Sequence, residues 1–166
     1  RTMLTYQGHV LYKMNAGMGD TVFAPLYLAL KQRGVSFKFF NRVEKLVYDD
    51  TAGVISAIEI ARQVDLKVPE YSPLVDVNGL PCWPSTPITD QIVNGDALKG
   101  VNLESMWSGW TDAGHTTLQL GQDFDQVILG ITVAGLPFIC DEKLLALEPW
   151  QKMLANVQTV RTQAVQ

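Results

Sequence analysis

Cysteine and histidine are scarce in this sequence of 166 residues. It contains two cysteines, Cys82 and Cys140, and two histidines, His9 and His115. Two cysteines so far apart make neither a disulfide framework nor a close pair of metal ligands, so we expect two buried free thiols. The four residues also lack the short spacing of zinc ligands. The sequence therefore predicts no metal site.

Long apolar runs and an excess of basic residues are absent as well. No segment approaches the roughly 18 consecutive apolar residues that a membrane helix needs, and the first residues do not resemble a signal peptide. The formal net charge is −4, with acidic and basic residues interspersed, so no basic stripe is available to neutralise phosphates. We expect a soluble cytoplasmic protein with no membrane span and no nucleic-acid partner.

Signatures of nucleophilic catalysis are also missing. There is no Gly-x-Ser-x-Gly, and no cysteine or serine stands in a recognisable pattern with a histidine. Asp123 and Asp125 flank Phe124, and a polar strand entry explains them better than a pair of general acid and base does. We therefore assign no catalytic residue.

The glycine-rich segment 17–22 comes close to a dinucleotide-binding fingerprint. Val22 stands where the third glycine belongs, Pro25 crowds the helix start, and Asn41 takes the place of the usual acidic residue. Because that glycine permits close packing of helix on strand, its loss argues against binding by this loop alone. A stand-alone nucleotide-binding domain remains an alternative.

Two kinds of periodicity predict an α+β fold. Helical spacing predicts a helix over residues 24–33, with Gly34 as a left-handed C-cap, and two later helices over 141–146 and from Pro149 to Val157. Strand patterns predict an antiparallel β-meander with flanking helices. The strands span residues 9–14, 35–48 with a bulge near 40–41, 54–61, 116–120 and a buried apolar run at 126–132. A turn at 49–53 joins the second and third of these as a hairpin.

Residues 65–110 have a different composition. Five of the eight prolines and three of the four tryptophans (Trp83, Trp107 and Trp110) fall here. We expect little regular structure and interpret the segment as an insertion that packs against another part of a larger protein. The tryptophans suit either a pocket wall or packing anchors, and anchors are the commoner use. The chain also begins without Met and ends in a polar run, which favours an interior piece of a larger protein.

Several short motifs occur in an order that resembles a known family. They are Ala16-Gly17-Met18-Gly19 with its helix, Asn41-Arg42-Val43, the hairpin 48–58, and Asp125-Gln126-Val127-Ile128-Leu129-Gly130. Together they resemble the middle of FAD-dependent oxidoreductases of the flavin-containing amine oxidase and phytoene-desaturase-like type. The resemblance implies part of a larger FAD-binding α/β fold. Residues 1–64 and 111–135 would belong to its FAD-binding domain, and residues 65–110 and 136–166 to a substrate-binding region.

The resemblance also implies a cofactor site. In that family the valine of the Arg-Val step contacts the FAD adenine through its main chain, which assigns Val43, with Arg42 beside it, to cofactor binding. The partners would be FAD and a small-molecule substrate. The pyrophosphate fingerprint and the segment that meets the flavin ring are missing, so the isolated chain should be inactive and lack FAD. A non-catalytic interaction module is the rival hypothesis, and exposed apolar faces predict self-association.

Overall fold

A computed structural model describes residues 7–8, 12–105, 107–157 and 159–160. The chain is a mixed α+β protein that divides into two compact units. The first comprises Arg1–Phe39 and Leu66–Leu98, and the second Phe40–Asp65 and Lys99–Gln166. The α+β prediction is confirmed at this level. The assignment of segments to FAD-binding and substrate-binding domains stays a prediction.

The described residues form five strands and several short helices. The strands are β1 (Asn41–Asp49), β2 (Val54–Arg62), β3 (Val75–Val77), β4 (Leu80–Cys82) and β5 (Gly114–Gln119). The α-helices are α1 (Ala24–Gln32), α2 (Leu136–Ile139), α3 (Glu142–Leu145) and α4 (Glu148–Asn156). A π-helical turn spans Gly19–Phe23, and 3-10 turns span Thr89–Gln91, Gly95–Leu98 and Val133–Gly135.

The helix predicted over residues 24–33 is confirmed as α1, and a π-helical turn precedes it. The π-turn runs directly into α1, and its last bond joins the Ala24 N–H to the Gly19 carbonyl. It ends just before Pro25, which has no N–H and therefore needs no acceptor in the preceding turn. Gly34 has φ +86°, and the Val35 N–H donates to the Leu30 carbonyl, as in a Schellman motif. The predicted left-handed C-cap is confirmed.

Aromatic rings form the centre of the first unit. The Tyr27 ring, 6% exposed, lies edge-on to Phe37 at 4.7 Å, Trp83 at 5.4 Å and Phe39 at 6.1 Å between centroids. Tyr71 contacts Phe39 in the same way at 5.6 Å. Edge-to-face pairs of this kind add stabilisation beyond the area that they bury. Tyr27 therefore lies at the centre of the aromatic core of the first unit.

The strand predicted over residues 35–48 is wrong in its first half. Residues 35–38 have no regular structure, and β1 starts only at Asn41. The alternation of Phe37 and Phe39 reflects their packing on Tyr27 rather than pairing in a sheet. Phe40 is left-handed, with φ 57°, but the register of the ladder shifts elsewhere: at Glu44, between the Val43 and Lys45 pairs, and again between the Val47 and Tyr48 pairs.

The second unit contains a three-stranded antiparallel sheet in the order β1-β2-β5. Gly53, with φ +71°, donates its N–H to the Asp49 carbonyl at 2.8 Å and closes the predicted hairpin. β5 confirms the strand predicted over residues 116–120, shifted by one or two residues. The core beneath the sheet consists of Leu46 with Leu136, Cys140 and Leu144 from the helical segment. Helices α3 and α4 confirm the two late helices, with Asp141 capping α3 through the Leu144 N–H.

The predicted buried strand over residues 126–132 is wrong. These residues have no regular structure, and the Ile128 side chain is 96% exposed. A strand forms only where another strand pairs with it, and none does so in the described part of the chain. The predicted strand 9–14 is not observed at 12–14, and residues 9–11, with His9, lie outside the described residues.

A hairpin within the Pro/Trp segment was missed. β3 and β4 pair around Asn78 and Gly79, both with positive φ (55° and 83°), as a two-residue type I′ turn requires. The Asn-Gly dipeptide between apolar residues is the signal that predicts such a turn.

No helix among the described residues is long and apolar enough to cross a membrane.

Candidate functional site

The open edge of β1 is where the sequence places the cofactor contact. Residues in an antiparallel pair alternate between those that bond to the partner strand and those whose N–H and C=O face away. The Phe40 carbonyl accepts from the Gln63 N–H at 2.8 Å, so Phe40 faces β2. Counting along the strand, Arg42 faces β2 and Val43 faces away. The Val43 N–H and C=O thus point to the open edge.

The far end of the same edge supports this assignment. The Asp141 N–H donates to the Leu46 carbonyl at 3.2 Å, and Asp141 Oδ2 accepts from the Tyr48 N–H at 2.7 Å. Leu46 and Tyr48 therefore also face away from β2. Phe40 faces β2, whereas Leu46 and Tyr48, an even number of residues further along, face away from it. The one extra residue at Glu44 accounts for this reversal. Asp141 therefore covers the edge of β1 at Leu46 and Tyr48, further along the strand than Val43.

Val43 and Arg42 project from opposite faces of the sheet. Val43 pairs with Ile60 on the face that carries Leu46, and its side chain is 38% exposed. Arg42 pairs with Ala61, which in turn pairs with His115 on β5. The two residues that the sequence assigns to the cofactor therefore offer different chemistry. Val43 presents main-chain groups at an edge, whereas Arg42 presents a guanidinium on the opposite face.

The Arg42 guanidinium is engaged in a charged network on its own face. Its Nη2 donates to Asp112 Oδ2 at 2.6 Å and to Glu44 Oε1 at 3.0 Å. Glu44 Oε2 lies 3.0 Å from His115 Nδ1. The Asp112 side chain is only 10% exposed, so Arg42 compensates a largely desolvated carboxylate. These contacts give Arg42 a structural role that does not require a bound ligand.

A groove of about 530 Å³ lies in the second unit beside this edge. It is lined by Glu44, Lys45 and the segment Phe138–Lys143. Burial, followed by the charge of Asp141, raises the pKa of the Cys140 thiol, which keeps the thiol protonated and unreactive. The hydrogen bond from Lys143 to Asp50 raises the pKa of that amine. The groove is thus lined by both charged and apolar side chains, and it contains no activated nucleophile among its described residues.

The glycine-rich segment of the first unit is used internally. The Gly17 carbonyl accepts from the N–H groups of Asp20 and Thr21 at 3.1 and 3.0 Å. The Gly19 carbonyl accepts from Trp83 Nε1, and Asp20 Oδ1 accepts from the Trp83 N–H. Phosphate binding at a helix start requires free N–H groups. The loop therefore serves as a helix start and an anchor for Trp83.

The other residues singled out in the sequence have structural surroundings. Asp123 Oδ2 accepts from the Gln119 N–H in the turn after β5. Trp110 donates to the Gln63 carbonyl at 2.7 Å, whereas Trp107 is 84% exposed. Both cysteines are free, Cys140 being buried and Cys82 partly so. Across the described ranges, no group of three His, Cys, Asp or Glu side chains is placed to hold a metal ion.

Comparisons with protein-family models, with curated proteins and with solved structures found no match for this chain. Its geometry is therefore the only structural guide to function. Of the two residues that the sequence assigns to the cofactor, Val43 directs its main-chain groups to the open edge, whereas Arg42 is bound to Asp112 and Glu44; their role in cofactor binding stays a prediction. The sequence does not reveal this difference between Val43 and Arg42, because it depends on the pairing of Phe40 with Gln63 and on the position of Asp112.

Proposed function

We propose that this chain forms part of the FAD-binding and substrate-binding region of a flavin-dependent oxidoreductase similar to amine oxidases and phytoene-desaturase-like enzymes. The observation that supports the proposal is the orientation of Val43 in β1. Its N–H and C=O face an open edge, while the same strand is covered by Asp141 further along. This is the arrangement that the resemblance requires of the adenine contact.

Adenine suits such an edge for a simple chemical reason. Its pairing edge carries a ring nitrogen acceptor beside an exocyclic amine donor, and one strand residue offers a donor and an acceptor in return. The Val43 side chain needs only to be compact and apolar. The flavin would supply the hydride chemistry when bound, and the protein its position and electrostatics. The small-molecule substrate is not specified by any residue in this part of the chain.

Replacing Val43 with proline tests the adenine contact. Proline removes the N–H, but at an edge-strand position whose N–H faces outward it leaves the bonds to β2 in place. In the complete polypeptide that contains this segment, we expect Val43→Pro to weaken FAD binding by about ten-fold or more, the loss of one well-placed hydrogen bond. Fluorescence titration with FAD measures the affinity.

Val43→Ile is the matched control, because it keeps the main-chain pair and the apolar character. It should bind FAD within about three-fold of the wild type, the small effect typical of a conservative change at a partly exposed position. Circular dichroism must show both variants folded. Unchanged FAD affinity in folded Val43→Pro, or an equal loss in Val43→Ile, would contradict the assignment. The segment on its own should retain no flavin.

A different observation favours the rival function of an interaction module. The π-turn and α1 together form one continuous helix whose outer face is apolar: Met18, Val22 and Leu26 recur every four residues and are 55%, 42% and 49% exposed. A helix that is apolar on both faces is normally buried on both. This face therefore suits contact with another polypeptide surface, whether a further domain or a second copy.

Leu26→Glu tests that contact. The wild-type chain is expected to form dimers or larger species in light scattering, because exposed apolar faces associate. Leu26→Glu places a charge in the middle of the face and should shift the population to monomer. Gln32→Glu, an exposed position on the same helix, adds the same charge outside the face and should not. A wild-type chain that stays monomeric at high concentration would contradict the prediction.

A further inference from the structure

Two Asn-Gly dipeptides occur in the first unit, at Asn78-Gly79 and Asn94-Gly95. Both asparagines have left-handed backbone, with φ 55° and 54°. Glycine after asparagine leaves the side-chain carbonyl open to attack by the next main-chain nitrogen, because there is no Cβ to obstruct it. We propose that Asn78 is a site of spontaneous deamidation, and that the fold protects Asn94 from the same reaction.

The reaction needs only water and a base. The Gly79 nitrogen loses its proton to hydroxide and attacks Asn78 Cγ. The new N–Cγ bond closes a five-membered succinimide ring, while the bond from Cγ to the side-chain nitrogen breaks and ammonia leaves. Water then opens the ring at either carbonyl, which yields aspartate or isoaspartate. No oxidation or reduction takes place.

The hairpin around Asn78 gives this reaction the mobility it requires. β3 and β4 contain three residues each, and among the described residues they form a two-stranded sheet of their own. All three residues of β3, together with Asn78 and Gly79, are exposed. β4 is half-buried and contacts the π-turn and α1. Since a ladder of three residues per strand is marginally stable in water, the exposed β3 and the turn can detach from β4 with little cost in free energy. When open, it behaves like a flexible peptide.

One hydrogen bond restrains the turn in its closed form. The Gly79 N–H donates to Asp76 Oδ1 at 2.9 Å. The attacking nitrogen must leave this acceptor and rotate toward Asn78 Cγ before the ring can close. The hydrogen bond to Asp76 therefore slows the reaction, and opening of the hairpin breaks this hydrogen bond.

Asn94 has the same chemistry in a rigid setting. Gly95 is buried, and its N–H donates to the carbonyl of Ile92, a residue with no exposed surface. A Cβ on Gly95 would lie 2.3 Å from the Thr89 carbonyl oxygen, so the main chain here has no room to rotate. Ring closure at Asn94 would require the surrounding 3-10 turns to unfold.

The product would alter the turn in two ways. It adds a negative charge two residues from Asp76, and isoaspartate lengthens the main chain by one carbon in a two-residue turn. β4 leads directly to Trp83, whose indole and main-chain N–H groups bond to Gly19 and Asp20. Conversion at Asn78 therefore loosens the strand that carries this anchor.

The test is incubation of the purified chain in water enriched in heavy oxygen, at neutral and at alkaline pH, followed by peptide mass spectrometry. We expect Asn78 to convert at least about ten-fold faster than Asn94. The product should contain one heavy oxygen, include isoaspartate and form faster at alkaline pH. Equal rates at the two sites, or conversion of Asn94 first, would overturn the proposal.

Two further samples keep the result interpretable. A peptide with the sequence of residues 73–84 reports the rate of the unrestrained turn. Asp76→Ala removes the acceptor of the Gly79 N–H and should bring the rate at Asn78 in the full chain closer to that of the peptide. If the peptide converts while Asn78 stays intact in both the wild type and Asp76→Ala, the hairpin is not the mobile element and the proposal fails.

Discussion

Replacing Gly95 with alanine is expected to destabilise the first unit by about 3 kcal/mol or more, at the upper end of what overpacking costs. An added Cβ would lie 2.3 Å from the Thr89 carbonyl oxygen and 2.8 Å from Thr89 Cβ. Because the nearer of these two atoms is a main-chain oxygen, no side-chain rotation relieves the clash. The two 3-10 turns that meet here would have to separate.

Hydrogen exchange read peptide by peptide is the appropriate measurement, because it reports on each of the two compact units by itself. Peptides from residues 66–98 should lose protection in Gly95→Ala, while those from the second unit should not. Gly17→Ala is the control in the same unit. A Cβ there meets nothing within 4 Å, so stability should change by no more than about 0.5 kcal/mol. Equal protection in the two variants would show that the turns are not packed as described.

Leu46→Ala is expected to cost the second unit about 2–5 kcal/mol, the usual range for a buried leucine truncated to alanine. Leu46 is 3% exposed and lies in the core with Leu136, Cys140 and Leu144. Its loss leaves a cavity where the sheet meets the helical segment. Hydrogen exchange of β1 and β2 amides should increase accordingly, together with a lower urea midpoint.

Ile128→Ala is the control for this prediction, and it also tests the finding that residues 126–132 do not form a strand. The side chain is 96% exposed, so truncation should change stability by about 0.5 kcal/mol or less. A cost comparable to that of Leu46→Ala would mean that Ile128 is buried, as a strand over residues 126–132 would require. Leu46→Met, which keeps the volume, should cost less than about 1.5 kcal/mol.

The parts of the fold that could be predicted are those specified by neighbouring residues. The Gly34 cap, the hairpin between β1 and β2, and the helix begun by Pro149 each depend on a few adjacent side chains and on backbone angles that glycine or proline provides. The Asn78-Gly79 hairpin belongs to the same class. It was missed because the prolines and tryptophans around it indicated a loop.

The candidate site could be predicted only in part. The sequence singles out Val43 and Arg42 through their resemblance to a family motif, and an alternating pattern places both in a strand. It does not show that Val43 faces the open edge, since the direction of its main-chain groups depends on which residue of β1 pairs with Gln63, and a shift of one residue would reverse it. It also does not reveal Asp112, seventy positions from its partner Arg42.

By itself, the sequence determined the local elements: α1 with its cap, the β1–β2 hairpin, β5 and the helices after Asp141. Only the tertiary structure decided that Phe37 and Phe39 pack on Tyr27, that residues 126–132 pair with no strand in the described part of the chain, and that the Val43 main chain faces outward. The physical reason is that a helix satisfies its main-chain hydrogen bonds within a few residues, whereas a strand depends on partners anywhere in the chain.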